Sequence, residues 1–361
     1  MAFKKNDVGV WTPVMPRHEL GTAFAAGVWN IAPGGGRFAP VMRPALPLEE
    51  TLALLKKAGC NYVEFHDTEA EPADAEKIMK VVRDTGMEVS MCTANVFKRG
   101  PEFANGNLGS PVASTRAEAV RRSRDYIRTG IEIFDADVYV YWNSSNGFGG
   151  PLQVNYRDLY QMTADSLSEI VSWMLDTYGP EKALPIAIEP KPNEPVSWGA
   201  PADCGEVLAI ISLMPENLRP FVGTNLETCH SLMAGKRYGA ELGLSAAAGK
   251  CFYVHLNGGT GLKFDEDLAF GDNDFGVAVE TVWTLMEIGY GTILGIDVQP
   301  LSTDTPEQQS ASVERSIRNF RRAHEICRSR VDAGELNALR ATADRAALSD
   351  WFARVCSGVA G

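Results

Sequence analysis

The 361-residue sequence has no excess of positive charge: 34 Lys and Arg face 46 Asp and Glu, a formal net charge of -12. A nucleic-acid partner needs a basic patch, so that class is set aside. Paired cysteines are also missing. Cys60, Cys92, Cys204, Cys229, Cys251, Cys327 and Cys356 are odd in number, scattered and free of any C-x-x-C. That usage excludes a disulfide framework and a cysteine zinc site, and it fits reduced thiols in the cytoplasm. No run approaches the roughly 18 apolar residues of a membrane span. The opening "MAFKKNDVGV" lacks the apolar stretch of a secretory leader. No internal repeat is visible at a fixed period. No G-x-G-x-x-G follows the first apolar run, and "PGGGRF" (33–38) reads as a flexible loop. The expectation is a soluble, cytoplasmic chain that binds neither nucleic acid nor membrane.

What is present is a large apolar fraction, 45% of residues, enough for a substantial core. Short β-branched and aromatic runs alternate with segments of helical periodicity. Strands are predicted at Ala25–Trp29, Tyr62–His66, Glu88–Thr93, Val138–Trp142, Ile186–Glu189, Phe221–Asn225, Phe252–Leu256 and Ile293–Val298. Helices are predicted in "PLEETLALLKKAG", "ADAEKIMKVVRDTG", "STRAEAVRRSRDYIRTGIEIF" and "YQMTADSLSEIVSWMLDTYG". Eight strands with interposed helices point to an α/β fold, a parallel sheet closed into a (β/α)8 barrel. Residues 1–325 are assigned to that barrel and 326–361 to a short helical tail used for packing or oligomer contact.

The predicted strand ends carry the chemistry: Trp29, His66 with Asp67, Thr93 with Asn95, Trp142 with Asn143, Glu189 with Lys191, Glu227, His255 with Asn257, and Asp297. Each taken singly reads as a turn former or a core residue. In a barrel, however, these ends meet on one face, where active sites are built. Three of the five histidines, His66, His230 and His255, belong to this set. Glu189, Glu227, His255 and Asp297 make an oxygen-plus-imidazole cage for one divalent ion. Glu227, His230, Asp265 and Asp267 make a second, with Glu227 bridging. In "KFDEDLAF" the alternation turns Asp265 and Asp267 to the same side. So many carboxylates repel one another unless cations intervene.

The motifs "FHD" (65–67), "MCTANVF" (91–97), "YVYW" (139–142), "AIEPKPNEP" (187–195), "NLETCH" (225–230), "LNG" (256–258), "KFDEDLAFG" (263–271) and "IDVQP" (296–300) together resemble the xylose isomerases with the shorter N-terminus, over roughly residues 24 to 325. The resemblance implies a TIM barrel that interconverts an aldose and a ketose by a metal-assisted 1,2-hydride shift. It implies a substrate-binding ion on Glu189, Glu227 and Asp297, and a catalytic ion on Glu227, His230, Asp265 and Asp267. By the same resemblance His66 assists opening of the cyclic sugar and Lys191 meets the carbonyl end of the substrate. Trp29 and Trp142 wall the pocket, and Phe38 reaches a neighbouring subunit's pocket in a homo-oligomer, dimer or tetramer. Thr93 and Asn257 complete the expected sugar contacts. The prolines of "EPKPNEP" are expected to hold Lys191 beside the cation without letting it collapse onto a carboxylate.

Several positions depart from the pattern. His255 stands where the isomerases carry an aspartate ligand, Gln299 where they carry a lysine, and Glu69 where an aspartate backs the ring-opening histidine. The C-terminal arm is also reduced. An imidazole in the cage favours Mn²⁺, Co²⁺ or Ni²⁺ over Mg²⁺. The order carboxylate, carboxylate, His, carboxylate over strands five to eight also resembles the sugar 3-epimerases and related one-metal barrel enzymes. That gives as the alternative an epimerase, isomerase or lyase-like enzyme moving a proton through an enediolate on a sugar or sugar derivative. Glu189 and Asp297 would then be the bases. A metal-binding homologue without turnover is the third reading.

Overall fold

The computed structural model describes residues 2–33, 41–96, 101–143, 146, 150–262, 264–299, 301 and 303–358. Phe38 and most of the "PGGGRF" loop lie outside them. Two short strands, β1 (Ala2–Lys5) and β2 (Trp11–Val14), pair antiparallel. Eight more close a parallel barrel: β3 (Phe24–Gly27), β4 (Tyr62–His66), β5 (Glu88–Thr93), β6 (Val138–Trp142), β7 (Ile186–Glu189), β8 (Val222–Glu227), β9 (Cys251–Leu256) and β10 (Leu294–Ile296). The fold is a (β/α)8 TIM barrel, closed where Leu294, Gly295 and Ile296 of β10 pair with Phe24, Ala25 and Ala26 of β3.

The helices are α1 (Leu48–Ala58), α2 (Ala75–Thr85), α3 (Ala113–Thr129), α4 (Tyr156–Tyr178), α5 (Cys204–Leu213), α6 (Thr228–Met233), α7 (Tyr238–Ala247), α8 (Phe275–Glu287), α9 (Pro306–Arg330), α10 (Ala333–Thr342) and α11 (Arg345–Ser357). Their ends follow from sequence. Helix α1 has Glu49 and Glu50 in its first turn, Lys56 and Lys57 in its last, and stops at Gly59 with φ 110°. Helix α9 opens on a capping box between Thr305 and Gln308, with proline in the first turn. The expected boundary at residue 325 falls inside α9. Beyond it Leu336, Trp351 and Val355 are buried in the same core as the barrel's helices.

The hairpin was not anticipated. Its strands are four residues long, and the turn is held by Asn6 Oδ1, which accepts from Val8 N and Val10 N. Phe3 packs on Phe221, ring centroids 4.5 Å apart, so the hairpin covers the barrel near the N-terminal end of β8.

Two apolar layers hold the barrel. The larger lies between sheet and helices, and the smaller fills the interior with Ala25, Met91, Val138, Val140, Ala187, Tyr253 and Ile293. That packed interior is the floor on which the polar strand ends sit. All seven cysteines are free, and no helix among the described residues is long and apolar enough to cross a membrane.

Candidate metal centre

Strand register sets the first contacts. Glu227 pairs with His255 across β8 and β9, Gly295 of β10 pairs with His255, and Trp142 of β6 pairs with Glu189 of β7. His255 Nδ1 lies 3.3 Å from Glu189 Oε2 and 3.5 Å from Asp297 Oδ2. Asn225, two residues before Glu227 on β8, donates from Nδ2 to Glu189 Oε2 at 2.6 Å and lies 3.2 Å from His255 Nδ1.

The second group comes from α6 and from the loop after β9. His230, in the first turn of α6, places Nδ1 3.2 Å from Glu227 Oε2 and Nε2 3.0 Å from Asp265 Oδ2. The loop is fastened by two backbone bonds between Gly258 and Leu268 and by Gln299 N donating to the Asp267 carbonyl at 3.0 Å. Asp267 takes φ 45°, which reverses the chain there. Asp265 and Asp267 turn inward while Glu266 between them turns out to Thr260, as the alternation predicts.

Three sets of ligand atoms converge to within 4.8 Å: Glu189, Glu227 and His230; Glu227, His255 and Asp297; Glu227, Asp265 and Asp267. Glu227 belongs to all three. All seven residues are buried except Asp297, whose side chain is 20% exposed. The donor set fits a divalent cation, hard oxygens with imidazole nitrogen. One buried atom, His230 Nδ1, has no hydrogen-bond partner among the described residues and faces the Glu227 carboxylate.

The charges act on one another. Burial, then Asp265, Asp267, Asp297 and Glu189, pushes the Glu227 carboxyl well above its usual range. Burial also raises Asp297, although His255 opposes it. At Glu189 burial is outweighed by the hydrogen bond and charge of His255, with His230 and Lys191 adding, so this carboxyl is lowered. For His255 burial works against the proton, but Glu64 and Glu189 outweigh it and raise the ring's affinity for it. A cation bound among these groups would relieve the repulsion centred on Glu227.

Around this cluster the other expected residues take varied places. His66 stacks on Trp29 with centroids 4.3 Å apart, and its Nδ1 is 3.7 Å from Glu69 Oε2. Trp29 itself is not on a strand: β3 ends at Gly27, and Trp29 sits in a 3-10 turn over Val28–Ile31. A Cβ on Gly27 would lie 2.2 Å from the indole, so the ring folds back over a glycine that leaves it room. Trp142, on β6, has the Lys191 ammonium 5.3 Å from its ring centre.

Three placements differ from expectation. Lys191 does settle on a carboxylate: Nζ donates to Asp265 Oδ2 at 2.5 Å and lies 3.4 Å from Glu194 Oε2. A buried ammonium is drawn to a neighbouring carboxylate despite the proline-stiffened backbone. Thr93, expected against a sugar hydroxyl, donates its own to the Val140 carbonyl at 2.6 Å. Asn257, expected as a sugar contact, is fully buried and donates to both Glu227 Oε1 and Asp267 Oδ1 at 2.7 Å, while Cys229 N donates to its Oδ1. It ties the two ligand groups together. Sequence reasoning missed Asn225 and Glu64, although each lies two positions before a recognised site residue on its strand and so on the same face.

Residues 52–322 match the family model described as a xylose isomerase-like TIM barrel. The chain belongs to that family. Within the xylose isomerase-like barrels it is 29% identical to a xylose isomerase of Thermus thermophilus over 316 residues, 84% of this chain and 79% of that protein. Among solved structures it is similar to a D-tagatose 3-epimerase-like protein, with TM-score 0.61, 17% identity, and 84% and 98% of the two chains covered. It is also similar to an L-ribulose 3-epimerase, with TM-score 0.61, 17% identity, and 89% and 98% covered. At those identities the two structures establish the shared barrel.

Proposed function

We propose that the protein is a divalent-metal-dependent isomerase of a small sugar, interconverting an aldose and a ketose. The observation that carries this reading is the second acidic group, His230, Asp265 and Asp267 gathered around Glu227 beside the group containing Glu189, His255 and Asp297. The first group would hold one ion and the second another, with Glu227 common to both. Ions held there would supply Lewis-acid polarisation of the oxygens on C1 and C2 of an open-chain sugar. Similarity to a xylose isomerase supports the aldose–ketose pair.

The reaction asks specific things of this chain. The hydrogen on C2 moves with its electron pair to C1, so C2 is oxidised and C1 reduced without any external acceptor. The hydroxyl proton passes from O2 to O1. Asp265, whose Oδ2 meets both Lys191 and His230, is the residue we assign to take up and return that proton. The Lys191 ammonium supplies positive charge where oxygen becomes negative. Trp29 and Trp142 form apolar walls that limit water, which would exchange protons with the substrate. His66 at the rim, with Glu69 beside Nδ1, is suited to opening a cyclic sugar. Assembly as a dimer or tetramer, with Phe38 reaching a neighbour's pocket, and a cytoplasmic location belong to the same proposal; sedimentation equilibrium tests the first.

A second reading has its own support. His255 stands between Glu189 and Asp297, an arrangement that suits those carboxylates as two bases moving a proton through an enediolate. The reaction run in D₂O separates the two. A hydride shift leaves the product carbon free of solvent deuterium; a proton transfer labels it. Deuterium at the shifted carbon, incorporated as fast as turnover, would overturn the first reading.

A further inference from the structure

Below the ligand cluster the barrel holds a carboxylate that neither reading uses. Glu64 lies on β4 two residues before His66 and is 0% exposed. Its oxygens face different partners. Oε1 accepts from the Tyr253 hydroxyl at 2.7 Å, and that hydroxyl also lies 3.1 Å from Ser90 Oγ. Oε2 faces His255 Nε2 at 3.4 Å. Glu64 Oε2 and His255 Nε2 are both buried and without a hydrogen-bond partner among the described residues. They lie 3.4 Å apart without the alignment of a hydrogen bond, which a small rotation of either side chain supplies.

The backbone makes room for this pair. A Cβ on Gly295 would sit 2.4 Å from His255 Cδ2 and 2.7 Å from Glu64 Oε1. Any side chain there would therefore drive the two apart. On the other edge of the ring, Nδ1 faces Glu189 and Asp297. A neutral imidazole has one lone pair, and the partner of one nitrogen decides which nitrogen carries it.

We propose that Glu64 is a positioning residue for the metal centre, holding the His255 proton on Nε2 so that the Nδ1 lone pair is presented to the ion held with Glu227 and Asp297. Tyr253 and Ser90 fix the carboxylate from the other side. The proposal rests on His255 being a ligand, as the proposed function has it, and it adds a residue that touches neither ion nor substrate.

The test uses the full chain stripped of metal and titrated with Co²⁺ alone, read by visible absorption and by competition with a chelating dye. Glu64→Gln keeps the size of the side chain, but its amide can donate to Nε2 and leave the proton on Nδ1. It is expected to lower Co²⁺ affinity about 10- to 100-fold and to change the visible spectrum. Glu64→Asp keeps the charge but withdraws the oxygen by one methylene; it is expected to lose about 10-fold, and it stands in should the glutamine variant not fold. Tyr253→Phe removes the hydroxyl that fixes the carboxylate from the other side and is expected to lower Co²⁺ affinity about threefold, less than either Glu64 change. His255→Ala separates the two levels of the argument. Wild-type Co²⁺ affinity in His255→Ala removes His255 as a ligand, and the proposal falls with the reading it rests on. Loss in His255→Ala with unchanged affinity and spectrum in folded Glu64→Gln or Glu64→Asp overturns the role of Glu64 alone.

Discussion

The indole Nε1–H of Trp29 donates to Asp297 Oδ1 at 2.8 Å, across the seam where β3 and β10 close the barrel. One residue thereby stacks on His66 and fixes the carboxylate that immediately follows the last strand. Trp29→Phe keeps an aromatic ring but removes the donor. A hydrogen bond to a charged acceptor contributes about 1.5–3 kcal/mol. Asp297 is then free to rotate, and Mn²⁺ affinity is expected to fall about 10-fold, measured by the free-ion paramagnetic resonance signal. Unchanged affinity in Trp29→Phe would show that the bond does not orient the ligand.

Glu227 is the residue on which all three ligand sets depend, and its carboxyl is raised well above its usual range by burial and by four neighbouring carboxylates. A raised pKa in the fold means stability that is full at low pH and lost as pH rises. In the metal-free chain Glu227→Gln removes that loss. Its melting temperature is expected to exceed the parent's, by a margin that widens as pH rises. With Mn²⁺ the order reverses. An ion bound only by the native state at 100 times its Kd adds about 2.7 kcal/mol, and the variant forfeits most of it. Calorimetric scans of parent and variant, with and without Mn²⁺ at two pH values, give the margin under each of the four conditions.

Much of this site is legible in the sequence, because a barrel sends the ends of its strands to one face. The observed bounds of β4, β5, β6 and β7 coincide with those predicted, and Glu189 at the end of β7 lies in the ligand cluster. Side-chain partners are a different matter. Thr93 is lost to Val140, and Asn257 to Glu227 and Asp267, through contacts between different elements that no local pattern encodes. Lys191 on Asp265 is the same problem across 74 positions. Glu64 was within reach: an acid inside the apolar run "YVEFH", on the same face as His66, is a signal that period-two reading supplies. The β1–β2 hairpin was not, since four-residue strands give too little alternation to detect.

The imidazole of His255 bears on which metal the centre accepts. It lies 1% exposed between Glu189 and Asp297, where a further carboxylate would give a harder, more negative site. Nitrogen ligands favour the later transition metals over Mg²⁺, which prefers oxygen and water. Metal-free protein reconstituted with Mn²⁺, Co²⁺ or Ni²⁺ is expected to bind at least 10-fold tighter than with Mg²⁺, by isothermal titration, and to isomerise aldoses faster. Equal binding of Mg²⁺ would place His255 outside the coordination shell.

Far from the site, at the opposite end of the barrel, Asp137 immediately precedes β6 with its backbone N–H on the Ser90 carbonyl. Burial, reinforced by Asp135 and Glu88, raises its carboxyl to about 7. The folded chain therefore holds this proton more tightly than the unfolded chain does. Below about pH 4 both states are protonated and the residue costs nothing; between about pH 4 and pH 7 stability drains away; above pH 7 the full penalty is present. The shift bounds that penalty at about 4 kcal/mol, and partial exposure of the side chain reduces it to about 1–2 kcal/mol. Asp137→Asn is accordingly expected to match the parent in urea unfolding at pH 4 and to exceed it by about 1–2 kcal/mol at pH 8, with Mn²⁺ affinity unaltered. A gain of the same size at both pH values would mean that the residue acts through packing and not through its charge.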